Sequence, residues 1–255
     1  MRFKLCLKPE KIAFGNRLPI NYPYLLSSWI YTTIGRANET YAGWLHDNGF
    51  KDGNKIFKFF TFSNLYTPKL KLEGDRLCLL SDTVSFYLSF LPEKSTEEFI
   101  KGLFKSQRFT LGDRHSKVQF EVQQIELMPP PDFSEMPVFK TISPVVVSTR
   151  GENGKPYYLS PKNPEYSACL LKNLKEKYQA YYNYEFLDSE NFVFELLTEP
   201  NSRLITIKAG EPQESKIRGY KYSFRLQADK GLMNLAYASG FGEKGSMGFG
   251  MIEVE

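Results

Sequence analysis

Histidine is nearly missing from this chain: the 255 residues hold two, His46 and His115. Cysteine is almost as scarce. Cys6, Cys78 and Cys169 are far apart, odd in number and form no Cys-x-x-Cys pair, so neither a disulfide framework nor a thiolate zinc site is indicated. No segment approaches the ~18 uninterrupted apolar residues of a membrane-spanning helix, and the opening MRFKLCLKPE has no apolar run long enough for a signal peptide. The expectation is a cytoplasmic protein with no membrane partner. The acidic residues, 29 in all, show no tight cluster of the kind a two-metal nuclease needs. Lys and Arg number 33, and the net charge of +4 permits an acidic partner such as nucleic acid without requiring one.

What the chain does have is alternation, helical stripes and a glycine-rich end. In RFKLCLK, Phe3, Leu5 and Leu7 alternate with polar neighbours, the period of a half-buried strand. YLLSSWIYTTIGR then places Leu25, Leu26, Trp29, Ile30 and Thr33 on one helical face, with Gly35 weakening the pattern. ETYAGWLHD fits a short helix with Asn38 as N-cap and Asn48-Gly49 as stop. KIFKFFTFSNL, DRLCLLS and VSFYLSF read as strands, STEEFIKGLFKS as a helix behind a capping-box start at Ser95, and SKVQFEVQQIEL as a closing strand. This order is ferredoxin-like.

The proline-rich run MPPPDFSEMP, residues 128 to 137, reads as an interdomain linker, after which the order begins again. VFKTISPVVVST is strand-like. NPEYSACLLKNLKEKYQAYY is a helix with Leu170, Leu171, Leu174, Tyr178 and Tyr181 in one stripe; RLITIKAG and KIRGYKYSFRLQA are strands, followed by a helix over 229–239 and a last strand in GFGMIEV. The expected architecture is α+β, two tandem ferredoxin-like domains over residues 1–128 and 129–255, with a glycine-rich loop near the C-terminus.

That loop, GFGEKGSMGFG, contains the letters of a dinucleotide-binding fingerprint at Gly240, Gly242 and Gly245. The fingerprint needs a strand before it, a helix opening at the third glycine and an acidic residue about 20 positions on. Here a helix precedes it and five residues follow Gly250. A nicotinamide or flavin enzyme is therefore set aside, and no cofactor is expected.

Taken together, MRFKLCLKP, LPINYPYLLSSWIYTTI, WLHDNGF, FKFFTFSNL, FKTISPVVV, LLKNLKEKY and the terminal GFGEKGSMGFGMIEV resemble the Cas6 family, the CRISPR-associated endoribonucleases that cut precursor CRISPR RNA within its repeats. The glycine-rich end is the most specific of these pieces. The resemblance implies a tandem ferredoxin-like fold and metal-independent cleavage of repeat RNA. It also implies products with a 5′-hydroxyl and a 2′,3′-cyclic phosphate. CRISPR repeat RNA is then the expected partner, with a homodimer and association with other effector-complex subunits left open.

Strand cleavage by the RNA's own 2′-hydroxyl needs a base, an acid and a group that holds the developing phosphorane charge. Histidine alone titrates near neutrality without perturbation, and His46 stands at the end of a predicted helix whose dipole favours the imidazolium. His46 is the first catalytic candidate. Tyr31 falls off the apolar stripe of its helix and matches the place of a tyrosine that in the family often faces the histidine. Lys55 completes the set, favoured over Lys51 because, like the family's lysine, it directly precedes the IFKFFTFS strand. His115, in a predicted loop between helix and strand, is given no catalytic role.

Two further segments are expected to face RNA. In the loop, Gly240, Gly242, Gly245, Gly248 and Gly250 let the backbone approach a phosphate and offer N–H groups as an anion-binding nest, while Lys244 and Ser246 add a charge and a hydroxyl. Tight packing between helix and strand would also call for these glycines. In KIRGYKYSFR, the basic residues Lys216, Arg218, Lys221 and Arg225 interleave with Tyr220, Tyr222 and Phe224, a composition that neutralises phosphates and stacks bases. A strand with one solvated basic face is the competing reading. A non-catalytic RNA-binding subunit of an effector complex is the alternative function, since relatives without cleavage activity share the fold.

Overall fold

The alternating apolar residues at the N-terminus make Arg2–Glu10 the central strand of an antiparallel sheet in a computed structural model that describes residues 1–133, 136–151, 154–187, 191–209 and 212–255. Phe3, Leu5 and Leu7 are buried. Val84–Phe90 pairs with this strand on one side and Lys117–Leu127 on the other, and Arg108–Gly112 adds to Lys117–Leu127. The chain divides into two units, residues 1–47 with 64–129 and residues 48–63 with 130–255.

In the first unit the helices Tyr22–Ala37 and Glu93–Lys105 supply the apolar cover. Leu26, Trp29, Ile30, Thr33 and Ile34 are buried, and Gly35 does not stop the helix, which runs on to Ala37. Trp29 stacks on Phe109 at 4.0 Å between ring centroids and meets Phe86 and Phe99 edge-on. Such aromatic geometry contributes beyond area burial alone.

The second unit repeats the theme in its simplest form. Val138–Thr141, Tyr166–Tyr182, Val193–Leu196, Ser223–Gln227, Lys230–Ser239 and Ile252–Val254 follow as strand, helix, strand, strand, helix, strand. The sheet order is Val193–Leu196, Ser223–Gln227, Val138–Thr141, Ile252–Val254. Within it Phe224 stacks on Phe241 at 4.7 Å and lies beside Phe139 at 5.4 Å. The protein is thus α+β with two ferredoxin-like halves, and no helix among the described residues is long and apolar enough to cross a membrane.

Several local expectations need correction. The segment read as one strand over KIFKFFTFSNL is two, Lys55–Phe57 and Phe60–Phe62, because Phe59 between them takes a positive φ of 52°. VFKTISPVVVST likewise forms Val138–Thr141 and Ser148–Arg150 with a break between, and KIRGYKYSFRLQA breaks at Tyr222. No capping box operates at Ser95. The helix begins at Glu93 behind Pro92, and Ser95 is buried with its hydroxyl 2.7 Å from that of Tyr41. The strand Arg108–Gly112 went unanticipated, so His115 lies in a turn between two strands. Part of two expected elements falls outside the described residues: positions 134 and 135 of the linker, and Gly210 of RLITIKAG.

Gly102 sets how closely the two helices of the first unit approach. A Cβ there would stand 1.7 Å from the carbonyl oxygen of Thr33. Helix propensity alone would make Gly102→Ala stabilising by about 1 kcal/mol, but the overlap is with backbone and cannot be relieved by a rotamer. Gly102→Ala is expected to destabilise by about 2 kcal/mol or more, read as a lower urea midpoint; an unchanged or raised midpoint would contradict this packing.

Candidate active site and RNA interface

Asn38 is the joint from which the candidate site is built. It ends the Tyr22–Ala37 helix, and its side-chain oxygen accepts from the Tyr41 N–H at 2.9 Å, capping the helix Glu39–Asp47. Its amide nitrogen donates to Glu98 at 3.2 Å. The chain therefore turns back on itself, and the rings of Tyr31 and His46 meet edge to face with centroids 5.2 Å apart. His46 occupies the last turn of its helix, where the dipole favours a cation. Its Nδ1 is 2.7 Å from Asp47 Oδ1, and its side chain is 67% exposed, open to a large substrate.

The lysines belong to the second unit. Phe50–Asp52 and Lys55–Phe57 form a short hairpin that carries Lys51 and Lys55. Lys55 is exposed and donates to Glu176 at 2.5 Å, while Lys51 Nζ is 3.4 Å from Asn48 Oδ1. Of the three catalytic candidates, then, Tyr31 and His46 come together within one unit, and Lys55 lies in the other with its charge paired to a carboxylate. Exposed His115 sits where Asp113 Oδ1 accepts its N–H and that of Ser116, closing the turn.

In the glycine-rich loop, Gly240, Gly242, Gly248 and Gly250 are buried, and Lys244, Gly245 and Ser246 are half-exposed. The close approaches are to protein. A Cβ at Gly245 would lie 2.6 Å from the Ser239 carbonyl oxygen and 2.8 Å from that of Phe60; at Gly248, whose φ is +85°, it would lie 2.5 Å from the Phe62 ring. The N–H groups of Gly240, Phe241, Glu243, Met247, Gly248 and Gly250 all donate to backbone carbonyls. Packing therefore accounts for these glycines, and Lys244 to Ser246 present what the loop offers to a ligand.

Behind that tip lies a cavity of about 760 Å³ bordered by the Tyr166–Tyr182 helix and the loop. Lys177 is at its floor, 4% exposed, donating to the Gly240 carbonyl at 2.5 Å. Burial pushes its ammonium down to about 7, a shift that the Glu243 carboxylate partly opposes. Lys177 was missed in the sequence although the signal was present: it follows Leu170 and Leu174 at the next position of the same apolar stripe, where a lysine is out of place.

The basic strand has one solvated face. Lys216 and Arg218 are exposed and alternate with buried Ile217 and Gly219, and Arg218 donates to Ser202 at 2.7 Å. Lys221 is half-buried, and burial together with Arg203 and Lys140 lowers its pKa. Stacking of bases on Tyr222 and Phe224 is overturned: both are core residues, with the Tyr222 hydroxyl 2.7 Å from that of Tyr166. Arg225 is ion-paired to Glu195. Among the described residues no group of three or more His, Cys, Asp or Glu is placed to hold a metal ion.

Comparison with known proteins covers nearly the whole chain. The family model for the N-terminal part of CRISPR-associated protein Cas6 matches residues 17–126, and that for its C-terminal part matches residues 128–254. The chain is 34% identical to CRISPR-associated endoribonuclease Cas6 1 of Methanocaldococcus jannaschii over 99% of this chain and 92% of the relative. It is 29% identical to CRISPR-associated endoribonuclease Cas6 of Pyrococcus furiosus, over 100% of this chain and 90% of that one. A solved structure described as an RAMP protein binding different RNA substrates superposes with a TM-score of 0.83 at 28% identity, covering 100% of this chain and 99% of that one.

The buried Lys177 has a measurable consequence. Its folded pKa of about 7 lies below the ordinary 10.5, so between these values the unfolded chain binds a proton that the folded chain does not. The penalty of the buried charge is complete below about pH 7 and relaxes as pH rises through that window. Urea unfolding should show stability rising from pH 7 toward 9 in the wild type relative to Lys177→Met, by at most the ~1.4 kcal/mol per pH unit of one proton. Identical pH dependence in the two proteins would contradict the buried, perturbed amine.

Proposed function

Because the chain belongs to the CRISPR-associated Cas6 family, we propose that it is an endoribonuclease that binds CRISPR repeat RNA and cuts precursor CRISPR RNA within the repeat. The 2′-hydroxyl attacks the adjacent phosphate, leaving a 2′,3′-cyclic phosphate and a 5′-hydroxyl. The observation that carries this reading is the Tyr31–His46 contact at an exposed helix end. Asp47 holds Nδ1 of the imidazole, which assigns proton transfer to Nε2. His46 Nε2 donates a proton to the leaving 5′-oxygen, and the proton of the attacking 2′-hydroxyl passes to solvent water. The Tyr31 hydroxyl, beside the same ring, holds the attacking 2′-hydroxyl or the phosphate.

A lysine supplies the charge that stabilises the phosphorane. Lys55 is the candidate, and its pairing with Glu176 must then yield to the RNA. The reaction uses the substrate's own nucleophile, so a metal ion has no obligatory step. The exposed face carrying Lys216 and Arg218, with Lys221 beside it, and the Lys244–Ser246 tip hold the RNA backbone. The protein acts alone, as a homodimer, or with further effector-complex subunits after cutting.

The test is cleavage of the host's repeat RNA in excess EDTA. His46→Ala should slow cutting by about 10² or more, Tyr31→Phe by about tenfold, and a single 2′-deoxy substitution at the cut site should abolish it. Lys55→Ala should slow cutting more than Lys51→Ala; the reverse order would move the phosphorane charge to Lys51. Salt-sensitive binding without cutting in any sample would contradict the nuclease reading and leave an RNA-binding subunit.

A further inference from the structure

The cavity behind the glycine-rich loop has more positive charge than its own carboxylates neutralise. Both of its carboxylates are hydrogen-bonded to other residues of the lining: Glu176 accepts from Lys55, and Glu243 accepts from the N–H and hydroxyl of Ser148 at 2.7 and 2.9 Å. Lys177 makes no ion pair within 4.0 Å among the described residues, and its one hydrogen bond there goes to a neutral carbonyl. Burying an ammonium on such terms is unfavourable, and an anion beside it offsets the cost. Arg150, Lys172 and Lys244 also line the cavity.

One turn before Lys177 on the same helix, Asn173 is also buried, and its side-chain oxygen has no hydrogen-bond partner among the described residues. The floor thus pairs a cation with an amide that lacks a donor. A bare anion would satisfy only the first. A nucleotide brings both an anionic phosphate and N–H or O–H donors, and the volume of about 760 Å³ lies within the ~300–1,000 Å³ of small-ligand pockets.

We propose that this cavity holds one nucleotide unit, its phosphate toward Lys177 and its sugar or base edge toward Asn173, with Lys172 and Lys244 at the rim. The proposal rests on the RNA-binding reading above for its main source of nucleotide, the repeat RNA strand. A free mononucleotide carries the same chemistry. Lys177 is then a ligand residue that also fixes Gly240 and so the start of the loop.

The experiment compares wild type, Lys177→Met and the double variant Lys172→Gln/Lys244→Gln. Repeat RNA is titrated across a salt series, and thermal unfolding is followed with uridine monophosphate and with inorganic phosphate. The double variant changes only residues that are not buried, so it reports on the site even where Lys177→Met folds poorly. Expected are a roughly tenfold loss of RNA affinity in each variant and a salt slope shallower by about 1 for each lost phosphate contact. Uridine monophosphate, more than inorganic phosphate, should raise the wild-type Tm and not that of the variants.

RNA affinity lost in Lys177→Met as well as in the double variant identifies the strand as the source; loss in the double variant alone, with Lys177→Met folded and no nucleotide effect on Tm, is the Lys244 tip's own contact and overturns the proposal. A nucleotide-dependent Tm rise confined to wild type, with RNA affinity unchanged, identifies a free nucleotide. The absence of both effects overturns the proposal, even where wild type cuts RNA normally. If wild type neither binds nor cuts the repeat, the nuclease reading fails, and the nucleotide arm still decides the cavity.

Discussion

Phe60 and Phe62 occupy the space that side chains on the glycine-rich loop would need, and that exclusion organises the second unit. The carbonyl of Phe60 and the ring of Phe62 stand against Gly245 and Gly248, and between them the Thr61 hydroxyl donates to the Phe249 carbonyl at 2.8 Å. A segment far ahead in sequence is thereby built into the C-terminal fold. Residues 48–63 accordingly pack with residues 130–255, and the chain leaves the first unit one position after His46. The candidate histidine and the candidate lysines are close in sequence but carried by different units.

The same packing explains how the loop can serve a ligand without being loose. Most of its amides are spent on backbone carbonyls, so its shape is set before anything binds. Lys177 adds a constraint from the helix side through Gly240. A preset loop lowers the ordering cost of binding. The charge that fixes it is buried, and an arrangement unfavourable for stability is where a function is reasonably sought.

Much of this was legible in the sequence. Val84–Phe90 and Glu39–Asp47 fall where their patterns place them, because each is bounded by strong local signals and one apolar face. The Tyr31–His46 contact was implied by the family resemblance of SSWIYTTI and WLHDNGF; the helical stripe by itself says only that Tyr31 lies off the apolar face. What was hidden depends on tertiary contact. Nothing local in KIFKFFTFSNL announces a positive φ at Phe59, which is buried against Phe50 and Tyr181. Ser95 has the spacing of a cap but is drawn into the core by Tyr41. Arg108–Gly112 carries the alternation of a strand at Phe109 and Leu111, both buried.

The central claim is that Tyr31 and the exposed His46 beside it drive attack by the RNA's own 2′-hydroxyl. The most direct test is the chemistry of the cut ends, read by mass spectrometry of the two fragments from one repeat RNA. The account predicts a 2′,3′-cyclic phosphate on the upstream fragment and a 5′-hydroxyl on the downstream one. A 3′-hydroxyl with a 5′-phosphate would require water or another external nucleophile, and would contradict it.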